Sequence, residues 1–452
     1  MGDCSTTERQ RTEMARALEA EVSRISAASM VWLESRGRCF EEMEQEAVRL
    51  SREFGRTLLS QFASVVQPAY APPEIICECG QPVAMHGKRR AQVKTLMGDI
   101  QIERPYYWCR VCGHGEAPLD RQIGIRAGST SGGLNEVLAL LGTQEAFDEA
   151  AEMVEKLTGT PVSANLVRRV TEAVGMAIET DQDEAISRAW ESDGAVLPPV
   201  AEKVPDRLYI SMDGTMANIR EQGWKEMRVG AVYATQMDTT GSQQTIRATD
   251  ITFHVDLNGP EYFGKGLWLE AYRRGITKTR EVVAIGDGAH WIWNLVGEHF
   301  PGAIQIVDWY HATEYIWKAA HALFEESDLA TPWANECLDH LWQGRVQTVI
   351  DILASFAPTN PAVEDAITYY TNNRLRMRYP EFRAHGLQIG SGTIESACRH
   401  VLGLRLKQSG MRWSAPGARR VAKVRAALRS GRWPQALALY NPPPRSYHRL
   451  VA

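Results

Sequence analysis

The stretch that decides the fold is RLYISMDG, residues 207–214, where a short apolar run ends in an acidic residue and a glycine. The run Leu208–Met212 predicts a buried strand, and Asp213 follows it directly. A second pair of this kind, Asp287-Gly288, follows the apolar run VVAIG. Because glycine lets the backbone turn sharply, we expect both carboxylates to be exposed at strand ends.

The residues after Arg207 predict an α/β fold with a mixed sheet and helices on its faces. The predicted strands cover residues 208–212, 228–235, 251–255, 282–285 and 304–307, and predicted helices cover 268–274 and 290–299. From residue 312 to about 379 the apolar pattern is helical. A further helix carries Glu395 in GSGTIES, where Ser391 or Thr393 is suited to cap it.

Asp213, Asp287 and Glu395 form the candidate catalytic trio. An Asp-Gly pair alone is more often a turn, but here both pairs follow apolar strands and a capped Glu lies downstream. Three converging carboxylates repel one another unless a cation is present, and oxygen-only ligands suit Mg²⁺ or Mn²⁺. Two such ions activate water or a 3′-OH and stabilise the leaving oxygen in phosphodiester transfer.

Four of the eight cysteines are clustered and four are scattered, at Cys4, Cys39, Cys337 and Cys398. The clustered ones predict a structural Zn²⁺ site and are Cys77, Cys79, Cys109 and Cys112. A hairpin around Met97-Gly98-Asp99 lies between the two pairs. The first pair departs from the usual C-x-x-C spacing, so His86 or His114 remains an alternative ligand.

The net charge is −5, yet the 57 residues after Glu395 contain ten Arg, two Lys and no acidic residue. A basic end on an acidic body indicates a local anionic partner, although a solubilising terminus is the alternative. The predicted DNA contacts in this region are Arg399, Arg405, Lys407, Arg412, Arg419, Arg420, Lys423 and Arg425. Arg168 and Arg169 are further candidates on the second helix of a helix-turn-helix-like segment.

The chain resembles DDE transposases with an RNase H-like catalytic core, in particular the Kra-type insertion-sequence transposases of bacteria, which are related to the Mutator-like group. The segments that carry the resemblance are SMDGTMA, AIGDGAHWIWN, QIVDWYHATEYIW, GLQIGSGTIESACRHV, LKQSGMRWS and RPYYWCRVCGHGEAPLD. They cover most of the chain from about residue 75. The resemblance implies that Asp213, Asp287 and Glu395 bind two Mg²⁺ or Mn²⁺ ions.

Asp308 competes with Asp287 for the second position, because it also follows a predicted strand. The segment Asp308-Trp309-Tyr310-His311 instead resembles the C/D-x-x-H motif that follows the second Asp in such transposases. By that resemblance Asp308 and His311 are supporting residues near the target phosphate or at the fold's hinge. For His311, a hydrogen-bonded core histidine is the alternative.

The resemblance and the helix and strand patterns of the sequence together predict the order of the domains along the chain. The predicted domains are a helical arm (1–70), a zinc-ribbon-like module (74–120), a helical DNA-binding segment (121–200), an RNase H-like core (205–311 and 386–435), a helical insertion (312–385) and a tail (436–452). The arm ends in a linker at Gln67-Pro68. Trp317, Trp333 and Trp342 lie in the insertion, where core packing explains each of them better than stacking on a flipped base.

We therefore expect a transposase that cleaves and joins double-stranded DNA, namely element ends and a target, as a homodimer or larger assembly. A non-catalytic DNA-binding regulator derived from a transposase and a nuclease without joining activity are the alternatives. The N-terminus has no apolar stretch typical of a secretion signal, and no run reaches the roughly 20 residues that span a bilayer. We expect a cytoplasmic, nucleoid-associated bacterial protein without a membrane partner.

Overall fold

The structure, a computed structural model, describes residues 8–35, 39–66, 71–125, 130–191, 195–240, 243–324, 328–356 and 360–441. The chain divides into two compact units, one formed by Met1–Thr171 with Leu437–Ala452 and the other by Glu172–Ala436. The predicted linker at Gln67-Pro68 and most of the predicted tail lie outside the described residues.

The first unit combines long helices with a small antiparallel sheet. Its elements are α1 (Glu8–Ser35), α2 (Phe40–Val66), β1 (Glu74–Ile76), β2 (Pro82–Thr95), β3 (Gly98–Trp108), β4 (Gly115–Glu116), α3 (Pro118–Gln122), α4 (Gly132–Gln144), α5 (Phe147–Thr158) and the beginning of α6 (Ala164–Ala189). The strands pair in the order β1-β2-β3-β4. The apolar stripe of α2 packs on this sheet, where Ala63 joins Val93, Ile100 and Ile102 in one buried cluster.

The second unit begins with a sheet and continues as helices. Its strands and intervening helices are β5 (Arg207–Ile219), β6 (Gly223–Thr240), β7 (Gln243–Asp256), α7 (Pro260–Arg273), β8 (Glu281–Gly286), α8 (His290–His299) and β9 (Ile304–Val307). The helices that follow are α9 (Trp309–Phe324), α10 (Ala330–Trp342), α11 (Val346–Ala354), α12 (Pro361–Asn373), α13 (Tyr379–Ala384), α14 (Gly392–Ala397), α15 (Leu404–Leu406), α16 (Ala415–Arg429) and α17 (Trp433–Tyr440).

The strands of the second unit form a mixed five-stranded sheet in the order β7-β6-β5-β8-β9. The central strand β5 pairs antiparallel with β6 and parallel with β8, and β8 pairs parallel with β9. This topology is consistent with an RNase H-like core. The prediction of a mixed α/β fold with a helical N-terminus is confirmed, while the finer domain boundaries stay a prediction.

Strand β5 is longer than the sequence predicted, and this moves Asp213 from the strand's end to its middle. Asp213 pairs with Val229 of β6, and the pairing continues to Ile219 opposite Gly223. The expectation that the chain turns at Gly214 is therefore wrong, because residues 214–219 continue the antiparallel pairing of β5 with β6. Asp287, in contrast, directly follows β8 as predicted.

Helices α9 to α13 lie between β9 and α14 in the chain, where the helical insertion was predicted. In the part of the chain that the structure describes, no helix is both long enough and apolar enough to cross a membrane.

Candidate active site

Strand β5, the end of β8 and helix α14 supply the three predicted carboxylates. Asp213 lies on the central strand, and Asp287 follows the parallel strand beside it. Glu395 lies in α14, and Cys398 lies three residues further along the same helical run. The Cys398 Sγ donates a hydrogen bond to Asp213 Oδ2 at 3.2 Å, so the segment that carries Glu395 is held against β5.

The negative charge of Asp287 is unfavourable when no cation is present. Burial raises the pKa of Asp287, and the nearby negative charge of Asp213 raises it further. The backbone N–H of Ala289, which donates to Asp287 Oδ1 at 2.8 Å, only partly offsets these effects. Since like charges that share a site disfavour ionisation, a bound cation would relieve this repulsion.

Asp308 is fully buried, with 0% of its surface exposed, and both of its oxygens accept hydrogen bonds. Oδ1 accepts from the backbone N–H of His311 at 2.8 Å and lies 3.1 Å from the ring Nδ1, while Oδ2 accepts from the backbone N–H of Ser391. Burial alone would raise the pKa of Asp308, but the hydrogen bonds from His311 and Ser391 hold it below its ordinary value. Asp308 therefore ties the start of α9 to the start of α14.

Side-chain atoms of Asp308, His311 and Glu395 lie within 4.8 Å of one another, which is close enough to hold a metal ion. Among the described residues, Asp213 and Asp287 do not converge with Glu395 to this distance.

The hydrogen bond to Asp308 raises the pKa of His311 to about 9. Asp308 also holds the backbone of Ser391, whose hydroxyl donates to Glu395, so this group restrains Glu395. The choice between Asp287 and Asp308 as the second metal ligand stays a prediction.

The His311–Asp308 pair makes the folding stability of the protein depend on pH. A histidine whose pKa rises on folding contributes stability that is fully present below about pH 6.5 and is lost as the pH rises through about 9. The melting temperature of the wild-type protein should therefore fall by roughly 3 °C or more over that window because of this pair. His311→Gln should flatten this part of the profile, whereas the exposed control His385→Gln should keep the wild-type slope. Parallel slopes for both variants would contradict the pairing.

Three further side chains contact the trio, and the sequence did not predict these contacts. Ser391 occupies the N-cap position of α14 as expected, but its hydroxyl donates to Glu395 Oε1 at 2.8 Å and does not cap a backbone N–H. The Tyr369 hydroxyl donates to the Asp287 backbone carbonyl at 2.7 Å. The contact of Cys398, one of the scattered cysteines, could have been predicted from the sequence. Its spacing of three residues from Glu395 places both side chains on one helix face.

The first unit contains the predicted four-cysteine cluster. Cys77 and Cys109 are buried and Cys79 and Cys112 are exposed, and all four thiols converge. The Sγ atoms of Cys77 and Cys112 lie 3.5 Å apart and those of Cys79 and Cys109 lie 3.7 Å apart. A tetrahedral Zn²⁺ with bonds of about 2.3 Å separates its sulfur ligands by about 3.8 Å, so the cluster is suited to zinc.

Two similar turns build the cluster, although the spacing of the first pair is short. Gly80 donates its N–H to the Cys77 carbonyl at 2.8 Å, and Gly113 donates to the Cys109 carbonyl at 2.9 Å. Both glycines have positive φ, +82° and +72°, which favours glycine over other residues. The C-x-C-G sequence of the first pair therefore forms a turn like that of the C-x-x-C-G sequence of the second pair. The four cysteines are sufficient for a metal site without a ligand from His86 or His114.

The four thiols cannot all ionise by themselves. The backbone N–H of Cys112 lowers the pKa of the Cys109 thiol to about 6. The backbone N–H of His114 lowers the pKa of Cys112, but burial and the contacts with the other three thiols together outweigh it and raise this pKa to about 12. Since thiolates are the form that binds zinc, a cation is needed to stabilise all four at once.

The family described as "Uncharacterised protein family (UPF0236)" matches residues 33–328 of this chain, which is more than half of its length. The chain belongs to the UPF0236 family. It is similar to the UPF0236 protein in the vanSb 3′ region of Streptococcus gallolyticus, with 24% identity over 364 residues that cover 75% of this chain and 73% of the relative. The family match includes Asp213, Asp287 and the cysteine cluster, and it ends before Glu395.

Purified UPF0236 protein of this sequence should contain stoichiometric zinc, which elemental analysis by mass spectrometry measures. Cys79→Ser or Cys112→Ser should lose the metal and lower the melting temperature, because zinc binding contributes folding free energy. Cys39→Ser, which changes an exposed cysteine elsewhere in the same unit, should keep both at wild-type values. A wild-type protein without zinc that melts at the same temperature before and after chelation would exclude a structural metal.

The predicted DNA-contacting cations separate into exposed and internal groups. The exposed ones are Arg168, Arg169, Arg399, Lys407 and Arg412. Arg419 and Arg420 both pair with Glu179, and Arg419 also donates to the Asn258 side chain at 3.0 Å.

Three of the predicted cations are buried, and this contradicts their assignment as phosphate contacts. Arg405 is 0% exposed, and its guanidinium lies 4.8 Å from the centre of the Trp413 ring. Arg425 donates to the carbonyl oxygens of His400 and Val401. Lys423 forms an ion pair with Asp256 at 2.9 Å. These side chains stabilise the second unit from inside, because a buried cation needs an internal partner.

The three tryptophans predicted to pack in the core of the helical insertion are not fully buried. Trp333 is half-buried and contacts Phe324 and Phe356, whereas Trp342 is 39% exposed and contacts Trp309. Trp317 is half-buried and lines an open groove along α9.

Proposed function

We propose that this UPF0236 protein is a DDE-type DNA transposase, which binds the ends of an insertion sequence and catalyses metal-dependent strand cleavage and strand transfer. One observation carries the proposal. Asp213 lies on the central strand of the mixed sheet, Asp287 ends the neighbouring parallel strand, and the helical segment with Glu395 is bonded to Asp213 through Cys398.

The donor set supports magnesium or manganese as the cofactor. Asp213, Asp287 and Glu395 offer only oxygen atoms, which these ions prefer, and all three side chains are at least partly exposed. When bound, two such ions supply an activated water or 3′-OH and stabilise the leaving oxygen of the cleaved phosphodiester. The proposed nucleophiles are therefore water and a 3′-OH, so we expect no covalent link between protein and DNA.

The residues around the trio keep its carboxylates in place. The Ser391 hydroxyl fixes one oxygen of Glu395, and Asp308 fixes the backbone of Ser391. The Cys398 thiol, three residues after Glu395, donates a hydrogen bond to Asp213 and restrains it. Preorganisation of this kind favours catalysis, because the charges need not rearrange during the reaction.

The exposed cations supply the proposed contacts with DNA phosphates. Arg399, Lys407 and Arg412 follow Glu395 in the chain, so they are suited to the strand at the active site. Arg168 and Arg169 lie exposed on α6, the second helix of the helix-turn-helix-like pair, and are suited to the element ends. Because two ends must be brought together, we propose that at least a homodimer acts on DNA.

The test combines the purified protein with Mg²⁺, a target plasmid and labelled DNA carrying the sequences that flank its gene. We expect labelled DNA joined to the plasmid in the presence of Mg²⁺ and none in the presence of a chelator. Asp213→Asn should bind the labelled DNA like the wild type but give no product.

Other outcomes separate the alternatives. Cleavage without joining would replace the transposase by a nuclease, and binding without cleavage would replace it by a DNA-binding regulator. Activity that persists in Asp213→Asn would overturn the assignment of the site.

A further inference from the structure

The turn that carries Asp287 is held by a helix far along the chain. The Tyr369 hydroxyl of α12 donates to the Asp287 backbone carbonyl at 2.7 Å. The Tyr369 ring packs against Gly288 so closely that a Cβ at this glycine would lie 2.5 Å from Tyr369 Cε2. Gly288 has a φ of +104°, which residues other than glycine rarely adopt. The glycine therefore provides both the turn and the space for the ring.

The same turn fixes the Asp287 carboxylate. Asp287 Oδ1 accepts a hydrogen bond from the backbone N–H of Ala289 at 2.8 Å. On the other side of the turn, the Gly286 carbonyl accepts from the backbone N–H of Asp308 at 2.8 Å. These two bonds lie on either side of the carbonyl that Tyr369 holds. The position of the carboxylate therefore depends on the Tyr369 hydroxyl as well as on backbone groups.

Tyr369 is itself held firmly. It is 8% exposed, and its ring stacks on the Tyr315 ring of α9, with 3.8 Å between the ring centres and 13° between the ring planes. The Asn373 side chain donates to the Tyr369 backbone carbonyl at 3.1 Å. Burial raises the pKa of the Tyr369 hydroxyl, which therefore keeps the proton that it donates to Asp287. Helices α9 and α12 are thereby both connected to the Asp287 turn.

We propose that Tyr369 is a positioning residue, through which α9 and α12 set the affinity of the carboxylate site for its divalent metal ion. This inference rests on the proposed function, because it takes Asp287 as a metal ligand. Removing a group that holds a metal ligand in place typically lowers metal affinity about 10–100-fold. We expect an effect near the lower limit, since Tyr369 bonds to the backbone of Asp287 and not to its carboxylate.

The test compares Tyr369→Phe with the matched control Tyr370→Phe. Each variant removes one hydroxyl of α12 that donates to a backbone carbonyl, namely that of Asp287 for Tyr369 and that of Ala312 for Tyr370. Both tyrosines are buried, so the two variants should lower the melting temperature by a similar amount. The metal site should change in Tyr369→Phe alone.

Electron paramagnetic resonance measures Mn²⁺ binding to the full chain, whose cysteine cluster is first loaded with zinc because thiolates prefer zinc to Mn²⁺. Comparison with Asp213→Asn identifies the Mn²⁺ that binds at the carboxylates. Tyr369→Phe should weaken this binding about tenfold, whereas Tyr370→Phe should bind Mn²⁺ like the wild type. In the metal-free protein, hydrogen exchange of the peptide that contains residues 287–289 should be faster in Tyr369→Phe than in Tyr370→Phe.

Equal Mn²⁺ affinities of Tyr369→Phe and Tyr370→Phe, with wild-type binding that depends on Asp213, would overturn the positioning role and leave the proposed function standing. A wild-type protein that binds Mn²⁺ no better than Asp213→Asn would overturn the proposed metal site and this inference with it.

Discussion

Asp287→Asn is expected to lower DNA strand cleavage by at least about a thousandfold while the protein stays folded. The amide removes a charged ligand of the proposed metal site at the end of β8. It also removes the repulsion from Asp213, which together with burial raises the pKa of Asp287 in the metal-free protein. The variant should therefore melt at an equal or higher temperature than the wild type without metal. Added Mg²⁺ should raise the melting temperature of the wild type more than that of the variant.

Asp308→Asn is the informative comparison, because Asp308 is the alternative to Asp287 as the second catalytic carboxylate. Asp308 is buried and accepts hydrogen bonds from His311 and Ser391, so its replacement should lower the melting temperature as well as the activity. Asp238→Asn, on an exposed part of β6, should leave both unchanged. A stable Asp308→Asn variant that cannot cleave, beside an active Asp287→Asn variant, would exchange the roles of the two residues.

Lys423→Met is expected to cause the largest loss of folding stability, about 3–5 kcal/mol. Lys423 and Asp256 are each 1% exposed, and Lys423 Nζ also donates to Gln182 Oε1 at 2.6 Å. Burial raises the pKa of Asp256, but the neighbouring Lys423 charge holds it below its ordinary value. Without the lysine, a charged carboxylate would remain in the interior with no cation to balance it.

Denaturant titration followed by circular dichroism measures this loss. The double variant Lys423→Met with Asp256→Leu should regain much of the stability, because an apolar pair replaces the ion pair without leaving a buried charge. Arg429→Met on the exposed side of α16 is the control and should change stability by less than about 0.5 kcal/mol. A Lys423→Met variant as stable as this control would show that the buried pair contributes little.

The sequence was sufficient for the parts of the fold that depend on local pattern. The apolar runs before Asp213 and Asp287 predicted two strands, and β8 and β5 are neighbours in the sheet. The four cysteines were also identified from spacing and converge as expected. These signals are readable because strand burial and metal-ligand geometry both constrain residues close together in the chain.

The roles of individual cations could not be predicted in the same way. Arg405, Lys423 and Arg425 belong to a basic, acid-free region that indicates a surface for DNA, yet each is buried. Arg425 donates to carbonyls at His400 and Val401, within the π-helical segment Cys398–Gly403. Neither this irregular helix nor Asp256, 167 residues away from Lys423, is visible in local composition.

The bond between Asp308 and Ser391 joins two positions 83 residues apart, and the Trp309 N–H donates to the Ile389 carbonyl at 2.9 Å beside it. The two ends of the helical segment between these positions are thus held side by side. Added length in the loops of a segment whose ends are fixed carries a small entropic cost, about 0.6 kcal/mol for each doubling of the loop length. Insertions in those loops should therefore leave the positions of Asp213, Asp287 and Glu395 unchanged, as long as Tyr369 keeps its hydrogen bond to the Asp287 carbonyl.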